Sequence, residues 1–242
     1  MKHMTRLLVK VSCVIFGTLA VSLSALAMSN EESARILKLT EFVLPVYPDA
    51  AKQAGLATGV VTVIVAHDGN GRATDMLVLD SSHPGFTEAV HNAVNRWRFE
   101  PDAAAGTTQA PAVRFYFSSK GVVLLQSSGL QGSLSNGLLP EKLQFPTFNA
   151  LDAPLKALEQ PMPVFPQALR GRVNNGSARV AFYVDETGHA RAPVVTEASS
   201  PEFAEAALAA VGQWRYESPK QNGRAVIAVG DWNFRFAGPS GS

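Results

Sequence analysis

The chain has few of the residues that usually build reactive or metal-binding sites. Its 242 residues contain one cysteine, Cys13, so no intramolecular disulfide can form and stability must come from packed cores. Beyond the N-terminal segment the histidines are His67, His83, His91 and His189. None stands at ligand spacing from another histidine or from a cysteine, which leaves no basis for a structural zinc site. No Gly-x-Ser-x-Gly nucleophile elbow occurs, and the Asn70-Gly71 pair is followed by no Lys-Ser/Thr, so it reads as a turn and not as a phosphate cradle. Ser81-Ser82 and Ser199-Ser200 precede helical segments, where serine is expected as a cap, and Asp185-Glu186 are expected to be solvated turn residues. Charge is also sparse: 17% of residues are charged and the formal net charge is +1, which gives no basic footprint for nucleic acid. These features read as a protein that is not an enzyme and needs no cofactor or metal.

Only one long apolar run is present. Lys2, Arg6 and Lys10 precede Val11 to Leu23, and Ala25-Leu26-Ala27 completes the layout of a secretory signal peptide cleaved after Ala27. Its removal would leave 18 basic and 20 acidic residues and would take Cys13 with it. The expected mature chain begins at Met28, spans no membrane and lies in the periplasm. The alternative is an uncleaved anchor, because the run is near the lower length limit for crossing a bilayer.

The remainder repeats itself. Pro45-Val46-Tyr47-Pro48 returns as Pro163-Val164-Phe165-Pro166, Gly71-Arg72-Ala73 as Gly188-His189-Ala190, and Trp97-Arg98-Phe99-Glu100 as Trp214-Arg215-Tyr216-Glu217. A period above a hundred residues is too long for a solenoid unit and marks a duplicated domain. The expected organisation is a leader (1–27), an N-terminal segment (28–41), a first domain (42–119), a connector (120–160), a second domain (161–237) and a tail (238–242).

Each copy has the same pattern of elements. Pro48 opens a short helix that Gly55 closes, and the β-branched run around Val61, Val63 and Val65 predicts a strand. Asp68-Gly69-Asn70-Gly71 then turns the chain into a second strand, Ala73 to Asp80. Phe86, Ala89, Val90, Ala93, Val94 and Trp97 trace one apolar helix stripe, matched by Phe203, Ala206, Ala207, Ala210, Val211 and Trp214. A last strand follows in each copy, Ala112 to Phe117 and Val229 to Phe236. The fold class is α+β: two copies of a small antiparallel sheet packed against two helices. Each copy carries a complete stripe and strand set and is expected to fold alone. In the connector, Val122 to Leu125 is too apolar for a free linker, so Gly121 to Gln126 is expected to turn back onto the first copy as an added strand or turn.

These motifs resemble the C-terminal domain of the TonB energy transducers. The Pro-x-Tyr-Pro opening, the glycine before a valine-alternating strand, the Asp-Gly hairpin, the paired serines and Trp-Arg-Phe/Tyr-Glu all match, over residues 42–119 and 161–237. The resemblance implies the same small α+β fold. It also implies that a partner's extended segment, the TonB box of an outer-membrane transporter, adds as a strand to the last strand of the sheet. An open strand edge offers unpaired N–H and C=O groups for such pairing. The candidate partner-binding residues are Val113, Arg114, Phe115, Tyr116 and Phe117 in the first copy, and Trp232, Asn233, Phe234, Arg235 and Phe236 in the second. Arg114 and Arg235 would suit acidic residues in that partner. If Val122 to Leu125 pairs beside the first of these edges, the second copy is the more open one.

The chain also departs from a transducer. No histidine lies between Val11 and Ala27, no Pro-Lys-Glu spacer follows, and Leu44 and Met162 stand where the family has a partner-contacting glutamine. The reading that follows is a periplasmic adaptor that binds an extended peptide or envelope protein, such as a TonB-dependent outer-membrane transporter. Its alternatives are a membrane-anchored transducer and a structural scaffold that self-associates through its sheet edges.

Overall fold

The computed structural model describes residues 37–101, 110–118, 121–127 and 145–238. The expected leader, residues 28–36, the middle of the connector and residues 239–242 lie outside them.

The first unit contains β1 (Leu39–Glu41), α1 (Asp49–Gln53), β2 (Thr58–His67), β3 (Ala73–Ser81), α2 (Pro84–Val94), β4 (Arg98–Phe99), β5 (Ala112–Ser118) and β6 (Gly121–Ser127). Its sheet has the order β3-β2-β5-β6, all neighbours antiparallel. The second unit contains β7 (Ala157–Glu159), β8 (Asn175–Val184), β9 (Ala190–Ala198), α3 (Pro201–Val211), β10 (Arg215–Tyr216), β11 (Lys220–Gln221), β12 (Arg224–Ala225) and β13 (Ala228–Ala237), with sheet order β13-β8-β9. Short pairs β1–β4 and β7–β10 fasten the start of each unit to the strand that follows its long helix. Each unit therefore begins a few residues before the motifs that open it in the sequence.

The repeated residues do the same work twice. α2 and α3 both start on a proline and bury the expected stripe, Phe86, Val90, Ala93 and Val94 in one and Phe203, Ala207, Ala210 and Val211 in the other. Phe86 meets Phe117, and Phe203 meets Phe236, at the same 4.6 Å and 39°. The glycine at the second position of each long strand makes room for that helix phenylalanine. A Cβ on Gly59 would lie 2.2 Å from the Phe86 ring, and one on Gly176 would lie 2.0 Å from Phe203. Gly176→Ala is therefore expected to destabilise the second unit by ~1–3 kcal/mol, the usual cost of overpacking, measured by chemical denaturation. An unchanged midpoint would show that Phe203 can move aside freely.

Two local expectations change. The second unit opens with a single 3-10 turn, Gln167–Leu169, and not with an α-helix. Only four residues separate Pro166 from Gly171 (φ 74°), two fewer than between Pro48 and Gly55, so the helix has no room to propagate. The paired serines make no side-chain cap bond to their helices, although Ser200 stands at the N-cap of α3. His83 Nδ1 accepts the Gly85 N–H of α2, while Ser82 Oγ accepts from Val60 N and Ser199 Oγ from Ser177 N, closing the hairpin ladders at 2.9 and 2.8 Å.

Each unit has its own core beneath its helix, built on Trp97 in the first and Trp214 in the second. A third apolar cluster joins them. Ile64, Ala66, Leu77 and Ala112 of the first sheet pack with Tyr183, Ala192, Val194 and Val229 of the second. On β2 these residues alternate with Val61, Val63 and Val65, which face the helix, so this end of the sheet is buried on both faces.

Candidate partner-binding edge

The two last strands are built alike but differ in what lies beside them. Gly59 pairs with Phe117 and Gly176 with Phe236, so Val113, Phe115 and Phe117 of β5 match Trp232, Phe234 and Phe236 of β13. In the first unit the edge is not open. Every residue from Ala112 to Ser118 is paired with β2 or its approach on one side and with β6 on the other, in an unbroken register from Ala112↔Ser127 to Ser118↔Gly121. The expected return of residues 121–126 onto this unit thus takes the form of a strand, and Val113, Arg114, Phe115, Tyr116 and Phe117 offer no free ladder to an incoming segment. Phe115 and Phe117 are core residues, and Arg114 Nε donates to Thr62 Oγ1 at 2.9 Å across the sheet.

In the second unit β13 pairs with β8 from Ala228 to Ala237, and its other side is largely free among the described residues. The one contact there is at its start, where Val229 N donates to Pro146 O at 2.9 Å and Thr147 forms an isolated bridge. That bond fixes the phase of the strand. Val229 points its backbone away from β8, so by the two-residue period Asp231, Asn233 and Arg235 each present one N–H and one C=O outward, while Trp232, Phe234 and Phe236 bond to β8. The side chains follow the same alternation in burial: Phe234 and Phe236 are buried, Asn233 and Arg235 exposed. Trp232 is on the core side yet 41% exposed, edge-on to the buried Trp214 at 5.6 Å. Asp231 is held by Arg179 at 2.8 Å, whereas Arg235 has no ion pair among the described residues.

The joint between the units carries the most ordered polar chemistry. Arg191 of β9 holds Asp75 of β3 with two bonds, Nε to Oδ2 at 2.9 Å and Nη2 to Oδ1 at 2.6 Å, and also donates to Met76 O and to Asp185 Oδ2. Asp75 further accepts from Ala192 N at 2.8 Å. Ala192 sits at φ 46° in a bulge where β9 carries one extra residue against β8, a backbone form that alanine avoids unless its surroundings hold it. Sequence reasoning missed this clamp, because Arg191 and Asp75 match Thr74 and Ala192 of the other copy and no repeated motif marks them. Asp185 is likewise more than a solvated turn residue. Burial opposes its charge, but bonds from the Thr187 hydroxyl, His189 N, Thr187 N and Arg191 keep its carboxyl below the ordinary value. A cleft of about 930 Å³ opens beside the joint, lined by His67, Asp75, Asp185, His189 and Arg191. Its best-placed charges are already engaged with one another. No group of three potential metal ligands occurs among the described residues, and no described helix is long and apolar enough to cross a membrane.

Two sheet-and-helix units stand in tandem, one with its last long strand covered by β6 and one with that strand's outer side largely unpaired among the described residues. The family described as Gram-negative bacterial TonB protein C-terminal matches residues 43–118 and 161–237, so the chain belongs to the TonB C-terminal family, in two copies. Membership implies a place in the Gram-negative envelope. Among solved structures, the solution structure of the Pseudomonas aeruginosa TonB CTD is similar, with 25% identity over 36% of this chain and 88% of that one, at a TM-score of 0.30. No curated protein matches the chain.

Proposed function

We propose that this protein is a periplasmic, non-catalytic adaptor that receives an extended segment of an envelope protein as an added strand on β13. A TonB-dependent outer-membrane transporter is the partner the family favours. The observation that carries the reading is the contrast between the two copies, β5 being paired on both sides while β13 keeps Asp231, Asn233 and Arg235 unpaired outward among the described residues.

Substitution by proline tests the edge. Asn233→Pro removes an outward N–H and leaves the β8 ladder its donors, so it is expected to weaken binding of peptides taken from the periplasm-facing segments of transporters by at least ~10-fold. Asn233→Ala is expected to bind nearly normally. Phe234→Pro removes a donor to β8 and a core ring, and is expected to unfold the second unit. Calorimetric titration with circular dichroism on each variant reads these outcomes, and a folded Asn233→Pro that binds normally would rule out strand addition here.

A further inference from the structure

We propose that the cleft at the joint of the two units binds a small organic cation, an amine with an apolar body. Both copies build its walls. The β2–β3 turn and the start of β3 form one side, and β9 with α3 forms the other. Its lining residues include none from β13, so the proposal stands apart from strand addition. The volume of about 930 Å³ suits a ligand of drug or dipeptide size.

The groups left over in this cleft are acceptors. Carboxylates of Asp68, Asp75, Asp185 and Glu205 line it against one guanidinium, that of Arg191. Arg191 directs Nε, Nη1 and Nη2 to Asp75, Asp185 and Met76 O, so no free cation is there to receive an anion. Asp68 accepts the Asn70 and Arg72 N–H groups on Oδ1 alone, and Glu205 is exposed with no partner among the described residues.

His67 supplies the observation that points to a ligand. Its ring is only 6% exposed, and Phe99 stacks on it at 4.4 Å and 15°. Nδ1 meets Asp68 O at 3.1 Å. A carbonyl can only accept, so that nitrogen carries the proton and Nε2 of the neutral ring is a bare acceptor. Nε2 has no partner among the described residues, whereas His189 uses both ring nitrogens, on Thr187 and Arg215. Among the described residues Ser200 Oγ is the enclosed side-chain polar atom without a partner, so His67 Nε2 is not sealed in and reaches the cleft its ring borders. The fold does not require an imidazole here, because the last residue of the matching strand β8 is Val184. A near-buried acceptor beside unbalanced carboxylates calls for a charged donor, and Pro193, Leu208 and Ala209 offer its apolar part a wall. Phosphates and carboxylates are opposed by like charge.

The probe is leucyl-lysine amide, with acetyl-leucyl-glutamine amide as its neutral counterpart and acetyl-leucyl-glutamate amide as its acidic one. Binding to the purified chain at physiological salt is followed by calorimetry and by the ring-nitrogen resonances of His67. The lysine probe is expected to bind at least about tenfold tighter than the neutral one and to shift the Nε2 resonance, while the acidic probe does not bind. His67→Val, which installs the residue of the other copy, and Glu205→Gln, at an exposed position, are each expected to weaken the lysine probe by about fivefold or more. Circular dichroism and the denaturation midpoint show whether each variant is folded. Should His67→Val fail to fold, Glu205→Gln and the Nε2 resonance of the unaltered chain decide. Asn233→Pro is expected to bind the lysine probe normally, and loss of binding there would assign the probe to the β13 edge and overturn the proposal. A neutral probe that binds as well, an acidic probe that binds tighter, affinity unchanged in Glu205→Gln with a still Nε2 resonance, or no binding by any probe would also overturn it.

Discussion

Trp214→Ala is expected to lower the stability of the second unit by about 3–5 kcal/mol, as truncation of an enclosed aromatic does. Trp214 is 1% exposed and sits where the whole unit converges, near Phe182, Tyr216, Trp232 and Phe234. Its Nε1 donates to Pro161 O at 2.9 Å, so the indole also ties the Pro163-Val164-Phe165-Pro166 approach to the sheet. Alanine would leave a void beneath β13 and release that segment, which should weaken any partner that uses the edge. Trp97 makes the same bond to Val43 O at 2.9 Å and is fully enclosed, so Trp97→Ala should cost the first unit as much. Trp214→Phe keeps most of the packing and removes the bond, and a loss of about 1–2 kcal/mol is expected. Denaturant titration of each variant decides the matter. Losses well under one kilocalorie for both alanine variants would mean that the indoles only line the surface of their cores.

Ile64→Asp is expected to cost ~4 kcal/mol or more, or to part the two units. Ile64 is 1% exposed in the cluster that joins the sheets, away from either helix core. A carboxylate there has no cationic partner among Leu77, Ala112, Tyr183 and Val194, and separation of the units lets it reach water. The deficit should be greatest at neutral pH and shrink as the solution is acidified, because an apolar cluster raises the carboxyl pKa and tolerates its neutral form. Ile64→Asn should show no such pH dependence. Small-angle scattering and denaturation from pH 4 to 7 separate the outcomes. A compact Ile64→Asp protein of ordinary stability would show that the third cluster contributes little.

Isolation of either copy, expected above to leave it folded, would carry a cost for the same reason. Each unit has a complete core, yet isolating one would expose the face that Ile64, Leu77, Tyr183 and Val194 now share and would leave Asp75 without Arg191. A trace of this was visible in the sequence. Val61, Val63 and Val65 account for one face of β2, and Ile64 and Ala66 on the other are apolar too, the pattern of a strand buried on both sides and not of a sheet with one wet face. Nothing in the pattern named the covering surface. Arg191 and Asp75 lie 116 residues apart, and the bulge that brings Ala192 N to Asp75 depends on tertiary support for an unfavourable backbone.

The sequence alone determined the elements whose causes are local or repeated. These are the helix stripes ending at Trp97 and Trp214, the hairpin turns and the duplication that carries the family likeness. Periodicity, turn chemistry and self-comparison reach these features because each is settled by neighbours along the chain or by its copy. Which sheet edge stays open and how the units join were decided by tertiary structure. The bond from Val229 to Pro146 at the start of β13 and the Arg191–Asp75 clamp depend on which surfaces of a folded chain remain to be covered, whereas the pairing of residues 121–127 with β5 is a hairpin that the apolar run Val122 to Leu125 already signalled. Hydrogen-bond demand and apolar burial set that outcome between segments far apart in sequence, where local preference carries no information.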